Sequence, residues 1–299
     1  MSKRTRARKP KQGRARKKQG PAPKTLVDIC MLVFGEWGLL SKAIRAIPAA
    51  AEGLNASYRV IVVDNGTPDW ETEEKEIVTA KEQSAPIKEL LRPQDIFFRL
   101  DENKGFPGGY NVAVGKGRSP LILILTSDVF LFPGAITKLV SVLDDPEVGI
   151  ASPMLLYPAD ESPHGPPGSV QHAGIGFDIR GDPYHIFMGW QPDHEKVNQR
   201  RELQAVTGAC ILTRRALWQR IGGFSELYNQ GTFEDMELAF AIRQMGYKII
   251  FEPSARGEHY VGGSIKHGAM RPGFNLALNS TIFRGRWAPS LKWDTYRFY

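Results

Sequence analysis

The feature that most constrains this chain is a set of short, unbroken apolar runs, each set off by turn residues and interleaved with helical patterns. Ile29-Cys30-Met31-Leu32-Val33-Phe34, Val60-Ile61-Val62-Val63 and Leu121-Ile122-Leu123-Ile124-Leu125 contain no alternating polar positions. A strand apolar at every position is buried on both faces, as in a sheet covered by helices on either side. Between the first two runs, Leu40, Ala43, Ile44 and Ile47 recur at helical spacing, and Pro48 is expected to bend or end that helix. Strands and helices alternating in this way predict an α/β fold with a mostly parallel sheet flanked by helices. Ile96 to Leu100, Gly149 to Pro153 and Tyr247 to Phe251 read as further strands, and Gln204 to Leu212 as a strand interrupted by glycine. Charged residues 70–90 read as helical, Pro133 as the opening of a helix, Arg214 to Ile221 as another helix, and 157–169 as a loop.

Ligands of such sheets bind beyond the carboxyl ends of the strands. Two of the runs close on acids: Asp64-Asn65-Gly66 after the second and Thr126-Ser127-Asp128 after the fourth. An acid closing a buried strand is costly unless it binds something, although Asp-Asn-Gly also makes an ordinary turn. After the third strand comes Asn103-Lys104-Gly105-Phe106-Pro107-Gly108-Gly109-Tyr110-Asn111. Its glycines would let backbone amides approach a phosphate, and Lys104 would add charge. Neither the GK[ST] ending of a P-loop nor the GxGxxG of a dinucleotide site is present.

Glu234 and Asp235 are adjacent acids at the start of an apolar helical pattern formed by Leu238, Ala241, Ile242 and Met245, with Gly246 where a C-terminal cap belongs. Thr232, three residues before Asp235, reads as the helix start. First-turn acids favour the helix dipole without further purpose, and the same dipole holds Asp235 in the ionised state a general base needs. His172 and His185 read as surface or internally satisfied histidines.

The net charge of +7 resides at one end, because residues 1–24 carry eleven Lys and Arg and no acid. The remainder holds 28 basic and 32 acidic residues. That segment reads as a disordered tail suited to nucleic acid or an anionic membrane surface, or as a solubilising appendage. The apolar runs are too short for a transmembrane segment. Cys30 and Cys210 in apolar surroundings fit two buried thiols in the cytoplasm.

The order of these elements resembles the GT-A fold glycosyltransferases of family 2, in particular their rhamnosyltransferase-like branch. The resemblance spans about residues 26–265. It is carried by Asp64-Asn65-Gly66, Asn103 to Asn111, Asp128-Val129 and Thr207-Gly208-Ala209-Cys210. Gly222-Gly223-Phe224-Ser225-Glu226, Glu234-Asp235-Met236-Glu237-Leu238 and His259-Tyr260-Val261-Gly262-Gly263-Ser264 complete it. It implies that Asp64 recognises the base of a nucleoside-diphosphate sugar, with Asn65 and Gly66 also among the nucleotide-sugar-binding residues. Asn103, Lys104, Gly105, Gly109 and Asn111 would wall the ribose and diphosphate, and Thr207, Gly208 and Ala209 the donor sugar and acceptor. Asp128 would be the last residue of a metal motif whose first acid is replaced by Thr126, with His259 completing the site for Mn2+ or Mg2+. Asp235 would be the catalytic base and Glu234 would hold the acceptor or the loop. One base and no enzyme nucleophile imply direct displacement with inversion, onto a glycan or glycolipid acceptor. The tail raises one alternative, a transferase tethered to nucleic acid that modifies a hydroxylated base; another, from a different class, is a non-catalytic protein that binds a sugar nucleotide or polyanion. The expected organisation is a basic tail (1–24), a transferase domain (25–283) and an aromatic, basic extension (284–299).

Overall fold

The computed structural model describes residues 25–71, 75–160, 162–228, 230–262 and 274–298. The basic tail and the Gly263-Ser264 end of the histidine motif lie outside the described residues. The chain opens with β1 (Thr25–Val33), α1 (Trp37–Ala50) and β2 (Ser57–Asp64). A small hairpin, β3 (Trp70–Glu71) with β4 (Ile77–Val78), leads to α2 (Ala80–Leu90) and β5 (Ile96–Arg99). Next come α3 (Gly105–Lys116), β6 (Leu121–Leu125), β7 (Val129–Leu131), α4 (Ala135–Val142) and β8 (Val148–Leu156). Four short strands follow: β9 (Val170–His172), β10 (Ile175–Phe177), β11 (Pro183–His185) and β12 (Arg201–Leu203). The chain continues with β13 (Cys210–Arg214), α5 (Arg215–Ile221), α6 (Glu234–Gln244), β14 (Lys248–His259) and α7 (Leu276–Trp287).

The main sheet has the order β12-β14-β8-β13-β6-β1-β2-β5. β6, β1, β2 and β5 run parallel, as do β8 and β14, while β13 enters antiparallel between β6 and β8. Period-2 alternation sorts each apolar run between two cores. Cys30, Ile61, Val63, Ile122 and Ile124 face the side covered by α3, α5, α6 and α7. Ile29, Met31, Val60, Val62, Leu121 and Leu123 face α1 and α4. That two-sided burial is why the runs 29–34, 60–63 and 121–125 carry no polar residue.

Asp28 ties the centre together. Fully buried, it accepts hydrogen bonds from the Ser119 amide at 2.7 Å and from Arg59 at 2.7 Å, and pairs with Arg215 at 2.8 Å. Burial pushes its carboxyl up, but the bonds from Ser119 and Arg59 outweigh that and hold it below the usual range.

Several local expectations are corrected. α1 continues through Pro48 to Ala50, and residues 70–90 are a hairpin before a helix that starts only at Ala80. There Thr79 and Glu82 form a reciprocal capping box. The helix expected at Pro133 begins at Ala135, after Gly134 takes a left-handed φ of 73°. Residues 204–209 precede the strand instead of belonging to it, since β13 starts at Cys210. The segment from Gly105 is helix and not an open phosphate loop. α7 runs across the 283/284 boundary, and Phe298 packs in the same core as Phe283.

Candidate active site

The carboxyl ends of β1, β2 and β6, the start of α6 and the end of β14 converge on a cavity of about 350 Å3. Leu32, Phe106 and Tyr110 make its apolar wall. Tyr110 is fully buried and donates its hydroxyl to the Leu125 carbonyl at 3.1 Å. Of the residues singled out in the sequence, Asn65, Asn103, Gly105, Asp128, Thr207, Gly208, Ala209, Glu234, Asp235 and His259 line this one space.

Asp235 is gripped by two backbone amides. Its Oδ2 accepts from Gly208 N and its Oδ1 from Met236 N, each at 2.8 Å. Burial pushes its carboxyl above the ordinary value, and the two amide bonds pull it back down. Glu234 has less support, a single bond from its own backbone amide. It is buried, and Oε2 has no hydrogen-bond partner. Burial and then the charge of Asp235 raise its carboxyl well above the usual range. Both carboxyls are therefore raised, that of Glu234 further, and Asp235 is the more readily ionised of the two.

The turn before this pair is unusual. Gln230, Gly231, Thr232 and Phe233 have φ of 68°, 127°, 73° and 74°. A non-glycine residue in this region costs on the order of 1–3 kcal/mol, so surrounding contacts must hold the turn. The side-chain cap expected from Thr232 is absent: Phe233 is the cap position and makes no capping hydrogen bond. Asp235 bonds to Gly208 across the cavity instead. Gly208 has little room to vary, since a Cβ there would sit 3.3 Å from the Asp235 Cβ.

Asp128 and His259 form the second polar centre. The Asp128 Oδ1 and His259 Nε2 lie 3.6 Å apart. His259 Nδ1 is 3.1 Å from Gln171 Oε1, a contact that orients the ring with Nε2 toward Asp128. Burial lowers the His259 pKa, against the opposing pull of the Asp128 carboxylate. A carboxylate beside an imidazole is a donor set that suits Mn2+ or Mg2+. Among the described residues no group of three or more His, Cys, Asp or Glu could hold a metal. Asp128 and His259 could supply two ligands to such an ion, with ligand phosphates and water for the rest of its shell.

Five residues expected at the nucleotide do not line the cavity, for separate reasons. Asp64 is fully buried and pairs with Arg99 at 2.5 Å. Gly66 (φ 74°) serves a tight turn, where a Cβ would meet the Glu102 backbone at 2.5 Å. Lys104 is exposed, Gly109 packs against Leu32, and Asn111 brackets Phe224 through its amide and carbonyl. The amides of the expected phosphate cradle are engaged already. Lys104 N donates to Asn65 Oδ1 at 2.9 Å, Gly105 N to Asn103 Oδ1 at 2.8 Å and Phe106 N to Gln230 O at 3.3 Å.

Sequence reasoning passed over Glu36, Ser127 and Gln171. Glu36 lines the cavity and accepts from Ser127 Oγ at 2.6 Å. Its position two residues beyond the first strand's closing Phe34 was the available signal. His172 and His185 are internally satisfied, their Nδ1 atoms 3.0 Å apart, and His172 Nε2 accepts from Thr207 N at 3.3 Å.

Comparison with known proteins bears on the whole arrangement. The model of the family described as glycosyl transferase family 2 matches residues 28–222. Glu234, Asp235 and His259 lie beyond that match. The "O-antigen biosynthesis protein RfbC" of Myxococcus xanthus is 26% identical over 226 residues, covering 73% of this chain and 17% of the relative. The chain spans only 17 to 22% of the length of the first curated relatives it matches. Among solved structures, GalNAc-T7 with UDP, GalNAc and Mn2+ aligns with a TM-score of 0.60 and 14% identity, over 80% of this chain and 45% of that one. The mannosyltransferase PcManGT from Pyrobaculum calidifontis, in complex with GDP-Man and Mn2+, aligns with a TM-score of 0.55 and 16% identity, over 95% and 81%.

Proposed function

Since the chain belongs to glycosyl transferase family 2 and has the GT-A fold, we propose that it transfers a sugar from a nucleoside-diphosphate sugar to an acceptor hydroxyl by direct, inverting displacement. The observation that carries this reading is the meeting, in one cavity, of an amide-held Asp235 with the facing Asp128 and His259. A hydroxyl is a weak nucleophile near neutral pH, and Asp235 accepts its proton as it attacks the anomeric carbon. The Gly208 and Met236 amides fix the carboxylate for that task. Glu234, protonated, presents an O–H donor to a sugar or acceptor oxygen and adds no second charge beside the base. Asp128 and His259 would hold a divalent cation, which would supply positive charge beside the diphosphate leaving group. Leu32, Phe106 and Tyr110 keep the floor of the cavity apolar, where these charges act most strongly.

A rhamnosyltransferase-like donor preference and a glycan or glycolipid acceptor are the finer parts of the reading. The name of the O-antigen biosynthesis relative, of which this chain covers 17%, points toward a glycan acceptor and says nothing of the donor sugar. No helix among the described residues is long and apolar enough to cross a membrane. Attachment to a polyanion through residues 1–24 is supported by their charge alone.

The test is calorimetric binding of UDP-, GDP- and TDP-sugars with Mn2+ and with chelator. Tight binding of one nucleotide class that requires the metal is the expected result. No binding by any of the three classes would sink the proposal.

A further inference from the structure

The turn that presents Glu234 and Asp235 does not hold itself. Gln230 to Phe233 are four successive residues with positive φ, and three of them are not glycine. Thr232 is β-branched and Phe233 bulky, the types least at ease there. Released from their contacts, these residues would return to negative φ and swing the first turn of α6 away from Gly208.

The restraining contacts come from α7. Asn279 is 3% exposed, and its Nδ2 donates to Gly231 O at 2.8 Å, to Thr232 O at 3.3 Å and to Thr232 Oγ1 at 3.2 Å. One buried amide thus spans the carbonyls of the two central residues of the turn. α7 is anchored to both flanks as well. Tyr228, before the turn, donates its hydroxyl to Glu237 Oε2 at 2.7 Å. From α7, Trp287 Nε1 donates to the same oxygen, and Arg286 pairs with Glu237 Oε1 at 2.8 Å. Phe233 and Phe283 pack with ring centroids 5.5 Å apart.

We infer that Asn279 is a positioning residue for Asp235: it locks the left-handed turn so that the carboxylate meets Gly208 and faces the cavity. This rests on the transferase reading for its catalytic consequence, but not for its structural one. A carbonyl-spanning amide is suited to the task because a side chain without the NH2 group removes the donor shared by the buried Gly231 carbonyl and the half-buried Thr232 carbonyl.

The test compares Asn279→Asp, which keeps the shape and removes the donor, and Asn279→Ala with the wild type. The first readout is hydrogen exchange at the Gly208 and Met236 amides, which bond Asp235 and need no ligand. Both should exchange about tenfold faster or more in the variants, as a local opening and not a global one. The second is steady-state turnover of whichever of UDP-glucose, GDP-mannose or TDP-rhamnose the wild type uses. There kcat should fall about 100-fold with donor KM little changed, as expected when the chemistry is misaligned. A merely structural residue would lower the melting temperature and leave kcat of the folded protein intact. Wild-type exchange at both amides in a folded variant, or an unchanged kcat, overturns the inference. A wild type that turns over no donor refutes the transferase reading instead, and the exchange result still decides the role of Asn279.

Discussion

Asp235→Asn separates the role of charge from that of shape. The carboxylate accepts one amide on each oxygen, Gly208 N on Oδ2 and Met236 N on Oδ1, both at 2.8 Å. Asparagine has the same outline but one acceptor, so one amide keeps its partner and the other faces an NH2 group. Losing a hydrogen bond to a charged acceptor costs about 1.5–3 kcal/mol. Removing a buried negative charge beside Glu234 offsets much of it, since burial opposes ionisation at both residues. The net effect on stability is expected below about 2 kcal/mol. The effect on chemistry is larger, because removing a positioned proton acceptor costs about 100- to 10,000-fold, or roughly 3–5 kcal/mol of barrier. The assay pairs nucleoside diphosphate release in the presence of acceptor with donor affinity by calorimetry and the melting temperature. Donor affinity and melting should change little while turnover collapses. Turnover within about threefold of wild type, far less than a lost general base costs, would remove Asp235 from the mechanism.

Other consequences follow from the same geometry. Because burial raises the Asp235 carboxyl and only its ionised form accepts a proton, kcat should fall on acidification at a higher pH than an ordinary aspartate allows; a pH-rate profile checks this. Gln171→Leu frees the His259 ring from its 3.1 Å partner and should raise the Mn2+ concentration for half-maximal activity about 10- to 100-fold, measured by metal titration. Asp28→Asn leaves Arg215 and Arg59 without their buried partner and should cost about 3 kcal/mol in denaturant unfolding at neutral pH. The Asp28 pKa is depressed, so its stabilisation is present above the unfolded value and is lost as pH falls through the folded one. The gap between wild type and variant should therefore close in acid. Deleting residues 1–24 removes eleven cations and should weaken binding to heparin and flatten its salt dependence, with nucleotide release unchanged.

The sheet was legible because burial on both faces leaves no choice of residue type: β1, β2 and β6 are apolar wherever two helical layers meet them. The strand-end rule then led to Asp128 and Asn65, and the helix pattern after Asp235 located α6. Local patterning failed where tertiary contacts decide. Gly109 looked like a phosphate-loop glycine, but a helix crossing β1 needs the absence of a Cβ against Leu32 just as much. Thr232 looked like a cap, but Asn279, 47 residues away, bonds its backbone and hydroxyl. Gln171 carried no motif at all, since its role depends on β9 passing beside the end of β14. Asp64 was read from its place at a strand end, and the pairing with Arg99 across β2 and β5 could be seen only in the register.

The central claim is a single displacement with one base and no covalent intermediate. The anomeric configuration of the transferred sugar, determined by NMR on the isolated product and compared with the donor, tests it most directly. Inversion is the predicted result, because the hydroxyl activated by Asp235 attacks the face opposite the departing diphosphate. Retention would contradict the account, since it requires a double displacement or attack from the leaving-group face, and neither uses Asp235 in the role assigned here.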